Sequence, residues 1–467
     1  MSSVAGRAFV MRKSPDLDST RGCLVGLAVG NALGAPLEGV TSRKIEATYG
    51  VVRDYVDGVR AWRRKPDRWR LPGLHADDGQ QALALADVII DRGRVSSRDL
   101  ADRLLALEAA CPDHYGGAFR SIGRSLKATL TDLANGVPPS LSGQVSAGTS
   151  ASARAVPLAI RLAHRLNPPP ATESVSTSEF VARANAEAES RSDCDDQDVR
   201  PSLWNPLDAE ALEDLLAATL PTHRDIRALA GAAAVVSALV RVLRGEPSTA
   251  SLIFRVAADT RDAENLIAAR YGDTLHGVAH HRHAVSTALA AAEAALDHLT
   301  RGKSYRHLTR QAGRHGADKA FHHPTIGFAP ALVPTCLYLF VKSQSFGDAL
   351  MSLMRLGGDT DTAGAILGAL SGARDGRSGI PDHWLEGLRD TRGFDLRARA
   401  LAGRLESTAT IPDLVATEKM HTEQERFYRA DLLTRHGVIR GQSYPTRARG
   451  NGDHPGRGRE GRNARLS

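Results

Sequence analysis

Along most of this chain apolar residues recur every three to four positions, while alternating β-branched runs are nearly absent. That period belongs to amphipathic helices packed on one another, not to a sheet. The pattern predicts helices from about Arg21 to Leu33, over 77–90, 98–110 and 119–134, and in the apolar stretch after the Ser/Gly-rich segment 140–160. Further helices are expected over 208–218, 225–244, 285–299 and 335–342, and onward to about Arg435. In the first of them Gly22, Gly26 and Gly30 recur every four residues and so share one face. Glycine inside a helix is destabilising, so its repetition predicts a neighbouring helix that must come very close. Pro36 then stops the helix and leaves Glu38 just past its end. The expectation is an all-α protein with one large domain over 20–435, no fixed-period repeat, and an unstructured lead-in over 1–19.

Two segments break the pattern. NPPPATESVSTSEF followed by the acidic EAESRSDCDDQD reads as a surface insertion at about 165–220, and residues 436–467 form a Gly/Arg-rich tail nearly free of apolar side chains. From Arg440 to the end, seven arginines face only Asp453 and Glu460, so most of the formal net charge of +7 sits in that tail. A tail of this composition is expected to be disordered, and either solubilises the chain or weakly contacts RNA or an acidic partner. Nucleic acid is otherwise not an expected partner of the body. No apolar run approaches the length of a membrane span, and the Gly/Ala-rich run from Cys23 to Ala35 contains polar Asn31 and follows Asp16 and Asp18. A cytoplasmic chain is expected. Cys23, Cys111, Cys194 and Cys336 show no CxxC spacing, which argues against a zinc knuckle or a disulfide framework.

The chemistry gathers at two helix starts nearly three hundred residues apart, HADDGQQALALADVII (75–90) and GGDTDTAGAILGALSG (357–372). The first offers Asp77 and Asp78, the second Asp359, Asp361 and the Thr362 hydroxyl, and each leads into an apolar helix fit for a core. An aspartate at a helix start is often only a cap. Two carboxylate doublets facing a core need a counter-charge, however, because unpaired charge is expensive to desolvate. All-oxygen ligands suit Mg²⁺, Mn²⁺ or Ca²⁺ rather than zinc. His276, His280 and His283 fall at helical spacing with Asp273 nearby, a zinc-like pattern that equally describes a solvated face. The basic stretch RAWRRKPDRWRLPG (60–73) either steers an anionic substrate, with Trp62 or Trp69 stacked on a base, or is a solvated loop with one tryptophan packed.

RGCLVGLAVGNALGAPLEG (21–39), ADDG (76–79), THRD (222–225) and GGDTDTAGAILGALSGARDG (357–376) together resemble the ADP-ribosylglycohydrolase family. The resemblance runs from about Arg21 to Gly376. It implies a single large orthogonal helical bundle with two divalent cations, Mg²⁺ or Mn²⁺, between the acidic clusters. It also implies hydrolysis of ADP-ribose from a modified protein side chain, arginine first among linkages, or from an ADP-ribosyl small molecule. Carried over residue by residue, Asp77, Asp78, Asp359, Asp361 and Thr362 match metal ligands, and Glu38, Asp78 and Asp361 the hydrolytic positions. Asn31, Gly148, Thr149, Ser150, Arg154 and His223 match substrate-binding positions. Such hydrolysis builds positive charge at the anomeric carbon, and two cations can activate water while gripping ribose hydroxyls. Four positions depart from the family pattern: Asn31 and Thr149 stand where Asp and Asn are usual, and Ala76 and Gly79 flank the first doublet where threonines are usual. Ala76 brings no hydroxyl ligand, so a catalytically weak or inactive ADP-ribose-binding member is the alternative reading.

Overall fold

The computed structural model describes residues 14–166, 205–298, 301–316 and 323–435. In chain order the helices are α1 (Leu17–Gly34), α2 (Ser42–Tyr49), α3 (Asp77–Arg92), α4 (Ser97–Ala109), α5 (Arg124–Ala134), α6 (Ser150–Arg154) and α7 (Val156–Arg165). They continue as α8 (Ala209–Thr219), α9 (Ile226–Leu243), α10 (Ala250–Tyr271), α11 (Val278–His281), α12 (Ala284–His298) and α13 (Arg301–Gly313). The last are α14 (Ala329–Lys342), α15 (Phe346–Met354), α16 (Thr360–Asp375), α17 (Asp382–Gly387), α18 (Thr391–Leu401) and α19 (Leu414–Arg435). Among the described residues there is no strand, only isolated bridges between loops. The all-α expectation holds.

The organising contact is α1 against α16. Gly22, Gly26 and Gly30 lie against the backbone of Gly372, Gly368 and Gly364, and Gly34 against Thr360, so the two helices run antiparallel with their main chains touching. A Cβ on any of these glycines would fall inside a carbonyl group of the partner helix. The close neighbour predicted from the glycine spacing is therefore the helix that carries the second acidic cluster. The Thr360 hydroxyl closes the end of the contact by donating to the Gly34 carbonyl at 2.8 Å. Around this pair α9 is buried along its whole length, and α14, α18 and α3 complete the core.

Several boundaries differ from expectation. Helix α1 starts at Leu17, within the expected lead-in, because Asp16 caps it by accepting from the Ser19 N–H at 2.7 Å. Helix α5 starts at Arg124, not near 119; the turn before it places Arg120 against the start of α3. Helix α14 starts at Ala329 and runs through Pro334, a residue that sequence reasoning takes as a boundary. The expected insertion overreached: α8 buries Leu212, Leu215 and Leu216 in the core, so residues 209–219 are part of the bundle. Residues 167–204, Cys194 and the 436–467 tail lie outside the described residues. The statement on membrane spans also needs correcting. Helix α9, 18 residues, is long and apolar enough to cross a membrane by length and composition, but it is the fully buried central helix of the bundle.

Candidate active site

Both acidic helix starts arrive at one place because α1 delivers them there. Asn31, fully buried on α1, accepts the Ala76 N–H on its Oδ1 at 2.5 Å. Its amide nitrogen donates to Asp78 Oδ2 and to the Asp361 carbonyl, both at 3.3 Å. One side chain thus ties the two clusters together. Gly357 and Gly358 turn the chain with positive φ of 75° and 84° just before Asp359, a conformation costly for other residues. Gly358 accepts from the Gly39 N–H at 2.7 Å and donates to the Val40 carbonyl at 3.1 Å, which fixes Glu38 beside the second cluster.

Asp77, Asp78 and Asp361 are buried and each presents a carboxylate oxygen within 4.8 Å of the others. Asp359 stands next to them, accepting from the Thr149 hydroxyl at 3.0 Å, with its own N–H on the Thr325 carbonyl at 2.7 Å. The Thr362 hydroxyl stands beside Asp78 and Asp359 and opposes the rise of both carboxyls. Burial pushes the Asp78 carboxyl up to about 7, reinforced by Asp359 and Glu38. Asp77 and Asp361 are driven well above the carboxylate range by burial and then by their acidic neighbours, and Asp359 is raised by burial too. Asp361 Oδ1 is buried without a hydrogen-bond partner. An orphaned carboxylate oxygen among like charges calls for a counter-cation, and this all-oxygen donor set fits a hard divalent one.

The first doublet is held from behind. The Asp77 N–H donates to the Arg120 carbonyl at 2.9 Å, and the buried Arg120 side chain is gripped by Glu418 Oε2 at 2.6 Å and Thr422 Oγ1 at 3.1 Å. Gln80 joins Glu418 at 2.9 Å, and His75 Nε2 meets the other Glu418 oxygen at 3.1 Å. Burial alone would raise Glu418, but Arg120 and His75 outweigh it and hold it well below the usual carboxylate range. Arg120 and Glu418 are anchors that sequence reading missed.

The matched substrate positions fall into two groups. Thr149 contacts Asp359, and Gly148 lies beside the His223 ring; the Gly148 N–H is turned onto Ser146 Oγ at 3.2 Å. Ser150 opens the five-residue helix α6. His223 is buried, shares 2.8 Å with Thr222 Oγ1 on Nδ1, and is pulled down to about 3 by burial and Arg154, so it is neutral. Arg154 sits behind the site: fully buried, it donates to the Ala218 carbonyl, Gln81 Oε1 and Thr222 Oγ1 at 3.0, 2.6 and 2.5 Å. Gln81 passes that contact to Asp77 Oδ2 at 3.3 Å, so Arg154 orients the doublet through an intermediary. Glu38 is part-exposed at the rim and paired with Arg68 Nη1 at 2.7 Å. The His276–His283 series does not share a helical face, since the chain turns at Gly277. His276 binds Asp225 Oδ2 at 2.9 Å and His283 faces Glu264 at 3.4 Å, in separate places.

A buried acidic pocket at the meeting of helix starts in an all-α bundle defines a class, and comparison places the chain within it. A family model described as ADP-ribosylglycohydrolase matches residues 12–188 and 201–413. The chain belongs to the ADP-ribosylglycohydrolase family, whose members hydrolyse ADP-ribosyl linkages. It is 23% identical over 377 residues to the ADP-ribosyl-[dinitrogen reductase] glycohydrolase of Rhodospirillum rubrum, covering 79% of this chain and 90% of that protein. An uncharacterized protein of Archaeoglobus fulgidus is 26% identical over 373 residues, covering 79% and 91% respectively. A shorter stretch, 118 residues or 25% of the chain, is 30% identical to 29% of an ADP-ribosylarginine hydrolase of Serratia proteamaculans. Among solved structures, one titled ADP-ribosylglycohydrolase-related protein complex superposes with a TM-score of 0.52 at 22% identity, covering 84% of this chain and 99% of that one, a likeness of fold.

Proposed function

We propose that this protein is a metal-dependent hydrolase that releases ADP-ribose from a modified protein side chain, arginine-linked by preference. The observation that carries the reading is the convergence of Asp77, Asp78 and Asp361, one of whose buried oxygens has no partner, in a chain of this family. The arginine preference rests on the 118-residue likeness to an ADP-ribosylarginine hydrolase. Asp77, Asp78, Asp359, Asp361 and Thr362 would hold the divalent ions, Mg²⁺ or Mn²⁺. Bound there, such cations supply charge neutralisation and lower the pKa of coordinated water. The chain's own residues do the rest. Glu38 places a carboxylate at the rim, oriented by Arg68, where it can take a proton from attacking water or face the cationic anomeric carbon. Neutral His223 and Thr149, the latter bonded to Asp359, offer polar atoms for ribose hydroxyls or diphosphate. The buried Arg154 fixes Gln81, and Gln81 fixes Asp77.

The decisive experiment measures ADP-ribose release from arginine-ADP-ribosylated protein with Mg²⁺ or Mn²⁺, with EDTA, and with Asp361→Asn. Metal-dependent release reduced by about 10³-fold or more in the variant is expected. Release that ignores both EDTA and the variant would sink the metal mechanism.

A second reading, ADP-ribose binding with weak turnover, is favoured by Ala76, which starts α3 with no side-chain cap and spends its N–H on Asn31. Under that reading the parent binds ADP-ribose without release, and the pair Ala76→Thr with Asn31→Asp gains activity.

A further inference from the structure

The basic stretch that leads into the first acidic cluster is a built surface. Trp69 is buried and donates its indole N–H to the Trp62 carbonyl at 2.9 Å, while Trp62 Nε1 donates to the Pro36 carbonyl at 3.1 Å. Pro36 lies two residues before Glu38, so this hydrogen bond and the Arg68–Glu38 pair tie the loop to the segment that carries the rim carboxylate. Helix α19 secures the other side. Glu425 accepts the Leu71 N–H at 3.1 Å, and Arg429 donates to the Trp69 carbonyl at 3.2 Å. Leu432 packs on Val59 and Trp69. The family match ends at residue 413, so α19 lies beyond it.

What this framework displays is concentrated positive charge. Lys44 Nζ, Lys65 Nζ and the Arg68 guanidinium surround the Trp62 ring at 5.1, 5.2 and 5.7 Å. Arg60, Arg63 and Arg64 line the same hollow, whose volume is about 530 Å³. Arg68 alone of these cations has an acidic partner among the described residues, and that partner is Glu38. Cation–π contact offsets part of the mutual repulsion. The remaining field attracts an anion to the edge of the active site.

We propose that this hollow docks a carboxylate-rich segment of the modified protein next to its ADP-ribosylated residue. The inference rests on the hydrolase reading for the identity of the carrier. Glu38 stands at the open rim whereas Asp78 and Asp361 are buried, so a macromolecule whose modified side chain reaches the acidic pocket lays its neighbouring surface across this edge. The geometry favours carboxylates over nucleic acid. Cations ring one indole instead of forming a track, Trp69 is inaccessible, and Trp62 is half-buried under cations, which leaves no stacking platform for bases.

The test uses the full chain and the variant Arg63→Ser/Arg64→Ser/Lys65→Ser, three exposed positions whose change is expected to leave the melting temperature unaltered. Calorimetry at low salt with a deca-glutamate peptide is expected to show binding weakened about tenfold in the variant, with a shallower salt dependence. The basic tail is common to both chains, so the difference reads the hollow alone. Equal binding in parent and variant overturns the proposal whether or not the protein hydrolyses anything. Tighter binding of a ten-nucleotide oligothymidylate than of the peptide, lost in the variant, overturns it in favour of nucleic acid. In the activity arm, kcat/KM on an acidic ADP-ribosylated protein is expected to fall about tenfold through KM, with free ADP-ribosylarginine unaffected. Equal losses on both substrates count against docking. No hydrolysis of either substrate defeats the hydrolase reading and leaves the binding arm to decide the surface.

Discussion

The two acidic doublets meet in one buried pocket but are held by opposite physics. The Asp359–Asp361 doublet stands on α16, whose position is set by bare backbone contact with α1 through Gly364, Gly368 and Gly372. The Asp77–Asp78 doublet stands on α3, whose start is set by buried charge: Arg120, Glu418, His75 and the Asn31 amide. Close glycine packing fixes a distance and tolerates no added atom. A buried ion cluster fixes a direction and tolerates little loss of charge, because the partner left behind is stranded in a low-dielectric interior. One half of the site therefore depends on shape and the other on charge balance, and each can be disturbed alone.

The largest expected effect is on the shape side. Gly30→Ala should cost about 4 kcal/mol or more of unfolding free energy, beyond ordinary overpacking, since the methyl group meets the Gly364 backbone. Denaturant unfolding measures it, and a loss under about 1 kcal/mol would mean the helices separate freely. Glu418→Gln should cost about 3 kcal/mol because Arg120 loses its buried counter-charge. It should also weaken Mn²⁺ binding, where Gly403→Ala, at an open turn, should not. Smaller still is the acid response, measured by thermal melts with Mn²⁺ saturating. His223 is held down to about 3 in the folded protein, so below about pH 6.5 the unfolded chain takes up a proton that the folded one refuses. Stability then falls with pH, and His223 alone accounts for about 2 kcal/mol of the fall at pH 5. Glu418, also depressed, adds its loss only as pH drops further, below the ordinary glutamate range. His223→Gln should remove that one contribution, leaving the part of the first limb owed to other depressed histidines, His164 and His75 among them, and the whole of the second.

How much of this was readable from the sequence follows the same division. The four-residue spacing of Gly22, Gly26 and Gly30 announced a close neighbour, and the matching spacing of Gly364, Gly368 and Gly372 would have named it, since both periods are local. The acidic doublets were legible because carboxylates before apolar helices are chemically anomalous. Arg120 and Glu418 were not, because each is an ordinary charged residue in its own segment and becomes an anchor only when 298 positions of chain are folded away. Helices α10 and α13 were overlooked, although α10 buries Leu252, Ile253, Val256, Ala263 and Ile267 at helical spacing. Arg154 was placed by resemblance at the substrate, and its hydrogen bonds put it behind the Asp77–Asp78 doublet.

The reach of Asn31 to Asp361 spans 330 positions, and that of Arg120 to Glu418 nearly as many. Contacts of such long range form late, since loop closure must precede any reward. During synthesis the first doublet emerges early and has neither its facing carboxylates nor its rear clamp until almost the whole domain has left the ribosome. An unfinished chain thus holds no assembled acidic pocket, and the order of manufacture itself delays that pocket until the last helix is in place.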